Sequence, residues 1–143
     1  MKVKLEAAKK SESGRRDRPR KARADVTFAQ VIQSAGALPG IEESTSYGTA
    51  ALKVKGKLLA RLHQSGECFV LRTNFLDREI LTQSDPAVFY VTDHYRDYPW
   101  VLVRFAAVSA AALPELLERA WRLVAPAATV KAYDRAQAAT KNS

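Results

Sequence analysis

The apolar residues of this chain recur with two periods, one typical of strands and one typical of helices. Alternation of apolar and polar residues predicts half-buried strands, and short runs of β-branched or aromatic residues predict buried ones. A glycine-bearing turn at 64–67 lies between two alternating runs and predicts a hairpin. The predicted strands are 51–55, 58–63, 68–72, 87–92 and 100–108.

Apolar residues at helical spacing predict three helices. The clearest is the last, because its apolar residues between Leu113 and Val124 follow one face of a 3.6-residue helix. Shorter helices are predicted over 27–36 and 77–84, each next to a capping or helix-ending residue. The resulting order, α-β-β-β-α-β-β-α, predicts a two-layer α+β domain with an antiparallel sheet.

The two ends of the chain fall outside this pattern. Residues 1–24 contain three large apolar residues and no aromatic one, too little to offset chain entropy by burial, so we expect a disordered basic tail. Residues 127–143 are polar and Ala-rich, and both a frayed helix over 130–139 and disorder remain open. We therefore expect one domain over 25–126 with a tail at each end.

Positive charge is concentrated in the first tail. Residues 1–24 hold ten Lys or Arg against three Asp or Glu, a net charge of +7 out of the formal +8, whereas residues 25–126 hold ten against eleven. A segment of like charges makes phosphate contacts that do not depend on sequence. The tail residues expected to make them are Arg15, Arg16, Arg18, Arg20, Lys21 and Arg23.

Basic residues also recur in the predicted strands. The alternation places them on the side of the sheet opposite Leu52 and Val54. Two interpretations stay open, because such residues form either the solvated face of a one-sided sheet or a strip that follows phosphates. The residues assigned to this strip are Lys53, Lys55, Lys57 and Arg61, with Arg72 and Arg104 as further members.

A second candidate site is the aromatic loop that precedes the last strand. Its rings are typical either of a core edge, where the ring is dry and the polar tip is wet, or of a cleft that binds a small ligand or a base. The residues expected to converge in such a cleft are Tyr47, His94, Tyr95, Arg96 and Trp100.

The chain has few residues suited to metal or covalent chemistry. Two histidines and one cysteine do not form a recognised ligand set, and Cys68 lies in an apolar run, where an inert thiol is usual. We expect no metal, no cofactor and no enzymatic activity; the enzymatic alternative pairs His94 with Asp93 or Asp97. One cysteine and no membrane-length apolar run predict a cytoplasmic protein without membrane contact.

Three motifs, in this order and spacing, resemble those of the MmcQ/YjbR-like family of small bacterial proteins. They are 38–48 (LPGIEESTSYG), 52–57 (LKVKGK) and 94–101 (HYRDYPWV), followed by 120–126 (AWRLVAP). The resemblance covers about residues 28–126. It implies an α-β3-α-β2-α fold like that of secretion-chaperone domains, and members are often named DNA-binding proteins. The chain departs from the family pattern at Thr49-Ala50, where many relatives have proline, and in its basic leader.

Two functional hypotheses follow. The first is a non-enzymatic DNA-binding protein with little sequence preference, whose phosphate contacts come mainly from the basic tail. The alternative is a small-ligand or protein-binding module built around Tyr95 and Trp100. Nucleic acid is the partner expected under the first hypothesis, and a small ligand or a protein under the second.

Overall fold

Six strands and four α-helices occur along residues 25–141, the part of the chain that the computed structural model describes. Residues 1–24, including every residue assigned to the basic tail, lie outside it. Single 3₁₀ turns occur at Asp93–Tyr95 and Ala110–Ala112. In chain order the elements are α1 (Phe28–Ala35), β1 (Ile41–Ser46), β2 (Thr49–Val54), β3 (Lys57–Leu62), β4 (Cys68–Arg72), α2 (Phe75–Ser84), β5 (Phe89–Tyr90), β6 (Trp100–Arg104), α3 (Leu113–Val124) and α4 (Ala127–Lys141).

The strands form one antiparallel sheet in the order β1-β2-β3-β4-β6-β5. This architecture confirms the predicted α+β class. One strand, β1 (Ile41–Ser46), was not predicted, because its residues are almost entirely polar. They are exposed because β1 is an edge strand that pairs only with β2. The chain therefore has four strands before α2, where the family resemblance implies three.

The helices begin and end for local reasons. Thr27 caps α1 in a capping box with Gln30, whose backbone N–H donates to the threonine hydroxyl at 3.3 Å. Asn74 caps α2 by accepting from the backbone N–H of Asp77 at 2.7 Å, so this helix begins two residues before the predicted start. The predicted boundaries of α3 are confirmed, because its apolar face is continuous.

The main core lies between α1, α3 and one face of the sheet. Trp121 of α3 is fully buried there, and its indole N–H donates to the carbonyl of Pro39 at 2.8 Å. Residues 127–141, for which helix and disorder both stayed open, form α4. Tyr133 of this helix packs on Trp121 with ring centroids 5.0 Å apart, and its hydroxyl donates to Glu118 at 3.0 Å.

The opposite face of the sheet, called here the second face, is not fully solvated. Cys68, Val70 and Leu102 are buried on it beneath Tyr95, which belongs to the loop between β5 and β6. The interpretation of a one-sided sheet is therefore wrong. The sheet has helices on one face and an aromatic loop on part of the other.

Candidate functional site

A cavity of about 500 Å³ opens on the second face, between the β1–β2 turn and the loop that precedes β6. We call it the cleft. Its volume is within the range that holds small organic ligands, and its walls are mainly apolar and aromatic. The lining residues are Tyr47, Leu58, Arg61, Gln64, Val70, His94, Tyr95, Tyr98 and Trp100.

A bulge in the sheet aims two β3 side chains into the cleft. The pairing of β2 with β3 shifts between Leu52 and Lys53, and Leu59 and Ala60 both pack into the main core. A bulge places two consecutive side chains on one side of a strand. Leu58 and Arg61 consequently both face the cleft, although they are three residues apart.

Arg61 is the charged residue of the cleft wall, and it is buried, with 4% of its surface exposed. Its guanidinium donates to the carbonyl of Leu62 and to Gln64 Oε1, both at 3.4 Å, and to the hydroxyl of Tyr95. It also lies over the ring of Tyr47, 5.3 Å from the centroid. These polar contacts satisfy donors, but none of them carries a negative charge.

Arg61 has no carboxylate partner in the described part of the chain. The ion pairs found between residues 25 and 141 involve Arg96, Arg119 and Arg122 instead. Arginine side chains carry a positive charge in proteins, so the wall of the cleft holds a buried cation. An uncompensated buried charge costs several kcal/mol, and a bound anion would offset that cost.

His63, two residues after Arg61, lies in surroundings that disfavour its protonation. Burial lowers the pKa of His63, and the charges of Arg61 and then His94 lower this pKa further. The backbone N–H of Ser65 donates to His63 Nδ1 at 3.1 Å, which requires that nitrogen to be unprotonated. The neutral imidazole therefore fits both the hydrogen bond and the surrounding charge.

This lowered pKa predicts a pH dependence of stability. As the pH falls, His63 takes up its proton at a higher pH in the unfolded chain than in the folded chain. The folded state therefore loses stability as the pH falls from 6.5 towards the folded-state pKa. We expect the melting temperature to fall more between about pH 7.5 and about pH 5.5 in the wild type than in His63→Gln. Equal pH profiles for the two proteins would contradict this assignment.

The loop of the cleft is held by a residue of α2. The guanidinium of Arg78 donates to four carbonyl oxygens between Tyr95 and Trp100. The backbone N–H of Thr73 also donates to the carbonyl of Pro99 at 2.9 Å. No sequence signal pointed to Arg78, because its acceptors are backbone carbonyls, which every residue carries. The four acceptors are Tyr95 (3.2 Å), Arg96 (2.7 Å), Tyr98 (2.7 Å) and Trp100 (3.2 Å).

The structure brings four of the five predicted cleft residues together. Tyr47, His94, Tyr95 and Trp100 line the cleft, and the Tyr95 ring meets that of His94 edge-on at 4.7 Å. Arg96 does not line it, because its side chain is exposed and pairs with Asp93. Sequence reasoning missed four lining residues, Leu58, Gln64, Val70 and Tyr98, and it assigned Arg61 to the basic strip.

The predicted basic strip is not a continuous exposed surface. Arg61 is buried in the cleft wall. The bulge places it on the second face, and Tyr95 of the aromatic loop contacts it there. Lys53 is half-buried and directly opposite Glu42 on β1. Lys55 and Lys57 are exposed at the β2–β3 turn, and phosphate binding there stays a prediction.

The two further arginines assigned to the strip are bound to the protein itself. Arg72 lies over the ring of Trp100, 4.4 Å from its centroid, and donates to the carbonyl of Leu58 at 3.2 Å. Arg104 lies over the ring of Tyr90 at 3.9 Å and donates at 3.1 Å to two carbonyls of the segment before β5. Their charges therefore stabilise the second face.

The enzymatic alternative requires His94 to contact Asp93 or Asp97, and the described residues do not form this pair. Within 25–141, no hydrogen bond or ion pair joins His94 to Asp93 or Asp97, and Asp93 pairs with Arg96. The same residues include no group of three His, Cys, Asp or Glu placed to hold a metal ion. None of the helices in that range has the length and hydropathy needed to cross a bilayer.

Fold and cleft together define an α+β module with a six-stranded antiparallel sheet and an aromatic-lined cavity on its second face. The profile described as YjbR matches residues 36–123, so the chain belongs to the YjbR family. A crystal structure of a Deinococcus radiodurans protein with the DUF419 domain superposes with a TM-score of 0.59 at 25% identity, covering 69% of this chain and 78% of that one.

Curated relatives match a shorter part of the chain. Uncharacterized proteins of Mycobacterium bovis and Mycobacterium tuberculosis are 40% identical to it over 53 residues, which is 37% of this chain and 41% of theirs. The chain thus matches these relatives over about two fifths of their length. The family assignment confirms the resemblance carried by the three sequence motifs.

Proposed function

We propose that the protein is a binding module that holds an organic anion in the cleft. The observation that carries this proposal is the buried guanidinium of Arg61, which lines the cavity and has no carboxylate partner among residues 25–141. A neutral ligand would leave this charge uncompensated, whereas an anion would compensate it. The apolar walls favour an organic ligand over a small hydrated ion.

The position of the cleft supports binding by a largely preformed site. The wall residues of β3 and β4 belong to central strands of the sheet. Arg78 fixes the loop by donating to its backbone carbonyls. A site on rigid elements loses little conformational entropy when it binds. We place this activity in the cytoplasm, in keeping with a single cysteine that leaves no internal disulfide.

Thermal denaturation of the full chain tests the proposal. The probes are AMP and indole-3-acetate as organic anions, with inorganic phosphate and acetate as small anions and adenosine as a neutral molecule. A ligand at a hundred times its dissociation constant stabilises a protein by about 2.7 kcal/mol, which raises the melting temperature by several degrees. We expect a saturable rise with the organic anions. The proposal fails if no anion at millimolar concentration gives one.

DNA binding with little sequence preference is the second candidate function. It is supported by the charge of residues 1–24, which hold +7 of the formal +8, and by the exposed Lys55 and Lys57. Among residues 25–141 the charges nearly cancel, with thirteen basic against twelve acidic side chains. The tail would thus supply most of the attraction for phosphate. Its contact residues would be Arg15, Arg16, Arg18, Arg20, Lys21 and Arg23.

The salt dependence of DNA binding tests this second function. Neutralisation of about six phosphates lowers affinity roughly a thousandfold between about 50 and about 200 mM salt. Replacement of the six tail residues by glutamine should remove most of the affinity and flatten this dependence. The control is the triple variant of Lys53, Lys55 and Lys57 to glutamine, for which we expect a smaller loss. Affinity that hardly changes with salt would exclude the mechanism.

A further inference from the structure

The β1–β2 turn holds a tyrosine in a conformation that tyrosine disfavours. Tyr47 and Gly48 form a two-residue turn between Ser46 and Thr49, with φ of 53° and 80°. Positive φ at both positions is the type I′ geometry, in which Asn, Asp and Gly are preferred. A residue with a Cβ, such as tyrosine, is strained there by about 1–2 kcal/mol.

Packing does not offset this strain. The side chain of Tyr47 is 82% exposed, so it gains little from burial. Its contacts are at the mouth of the cleft, which it lines, and with Arg61, whose guanidinium lies 5.3 Å from the ring centroid. Strained residues cluster at binding sites, and here the strain coincides with a side chain at the mouth of a cavity.

The cleft has a second ring at its wall. Trp100, at the start of β6, lines the cavity together with Tyr47 and Arg61. Its indole is fixed by Arg72, which lies 4.4 Å from the ring centroid. Aromatic side chains offer flat surfaces on which a flat ligand stacks, with a gain of about 1–3 kcal/mol per ring. The cleft therefore combines ring surfaces with one buried cation.

We infer that the ligand is a flat aromatic ring joined to a phosphate or carboxylate group, with the ring on Tyr47 and the anion at Arg61. This inference rests on the proposed function and deepens it by naming the ligand class. It also gives the strained turn a role, because an asparagine or glycine at position 47 would ease the turn but remove the ring. Tyr47 is thus a specificity-determining residue.

The ligand class is tested with two matched sets of probes on the full chain. The phosphate set is AMP, adenosine and inorganic phosphate, and the carboxylate set is indole-3-acetate, indole and acetate. In at least one set we expect the complete molecule to bind about tenfold or more tighter than either part. The set that shows this effect identifies the anionic group. The inference is overturned if the small anions bind as tightly as the ring-bearing ones.

Substitution of Tyr47 separates the role of its ring from that of the turn. Tyr47→Asn should raise the melting temperature by about 2–5 °C, because it relieves the turn, and weaken binding of the preferred probe by about tenfold. Tyr47→Phe keeps the ring, so we expect it to recover most of the affinity that Tyr47→Asn loses. Lys55→Asn is the stability control, because Lys55 has the same φ of 53° in the β2–β3 turn.

The outcomes distinguish this inference from the proposed function. If anions bind but Tyr47→Asn binds them as tightly as the wild type, the inference is wrong and the proposed function stands. If no anion binds the wild type, the proposed function itself is wrong. A lower melting temperature for Tyr47→Asn would show that the tyrosine is structural, which also overturns the inference.

Discussion

Replacement of Arg78 by methionine should lower the free energy of unfolding by about 2–4 kcal/mol and loosen the loop of the cleft. The guanidinium donates to four backbone carbonyls between Tyr95 and Trp100, at 2.7 to 3.2 Å. Hydrogen bonds from a charged donor contribute about 1.5–3 kcal/mol each, and partial exposure of this one reduces the total. Chemical denaturation measures the loss, and amide hydrogen exchange at Tyr98 and Trp100 locates it.

Two further variants make this prediction specific. Arg119→Met removes a more exposed arginine, paired with Asp77 at 3.3 Å, and should change stability by less than about 1 kcal/mol. Arg78→Lys keeps the charge but lacks the planar fork that reaches several acceptors, so we expect an intermediate loss. Equal effects of Arg78→Met and Arg119→Met would contradict the structural role of Arg78.

Replacement of Arg61 by methionine should weaken binding of an organic anion by about a hundredfold without lowering stability. Truncation of a buried charged contact costs about 2–5 kcal/mol of binding energy. In the unliganded protein the same change removes a buried charge that has no carboxylate partner among residues 25–141, and replacement of buried ionic groups by apolar residues of similar volume is often neutral or stabilising. Calorimetric titration with the preferred probe and thermal denaturation measure the two effects on one pair of proteins.

Arg104→Met is the matched control for Arg61. Arg104 is also an arginine of the sheet that lies over a tyrosine ring, but it is not among the residues that line the cleft. Its loss changes the net charge equally and should alter anion affinity by about twofold at most, because charges at a distance are screened. Similar losses of affinity in both variants would mean that general electrostatics, and not the buried guanidinium, attracts the anion.

Periodicity predicted the parts of the fold whose side chains have one buried face. The α3 boundaries are those expected because the apolar face from Leu113 to Val124 is unbroken. β1 escaped prediction because an exposed edge strand needs no apolar alternation, and its residues Ile41–Ser46 have almost none. β5 is only two residues long, too short for any pattern to define its ends.

The candidate site was predictable in part, for a different reason. Aromatic density pointed to Tyr95 and Trp100, and both line the cleft. The position of Arg61 depends on a bulge, which shifts the faces of β3 and has no reliable sequence signal. Arg96 was expected to line the cleft but does not, because its local ion pair with Asp93 holds its side chain in solvent. Strand pairing therefore decided the position of Arg61, and a local ion pair decided that of Arg96.

The two tryptophans allow a direct test of whether the cleft receives an organic anion. Trp100 lines the cleft, whereas Trp121 is buried in the main core with its indole N–H on the carbonyl of Pro39. The measurement is a nuclear magnetic resonance titration of the full chain with AMP and with indole-3-acetate, followed at the two indole N–H signals. We expect the Trp100 signal to shift and saturate with at least one of them while the Trp121 signal stays in place. Two unmoved signals with both probes, or a shift confined to Trp121, would contradict this expectation.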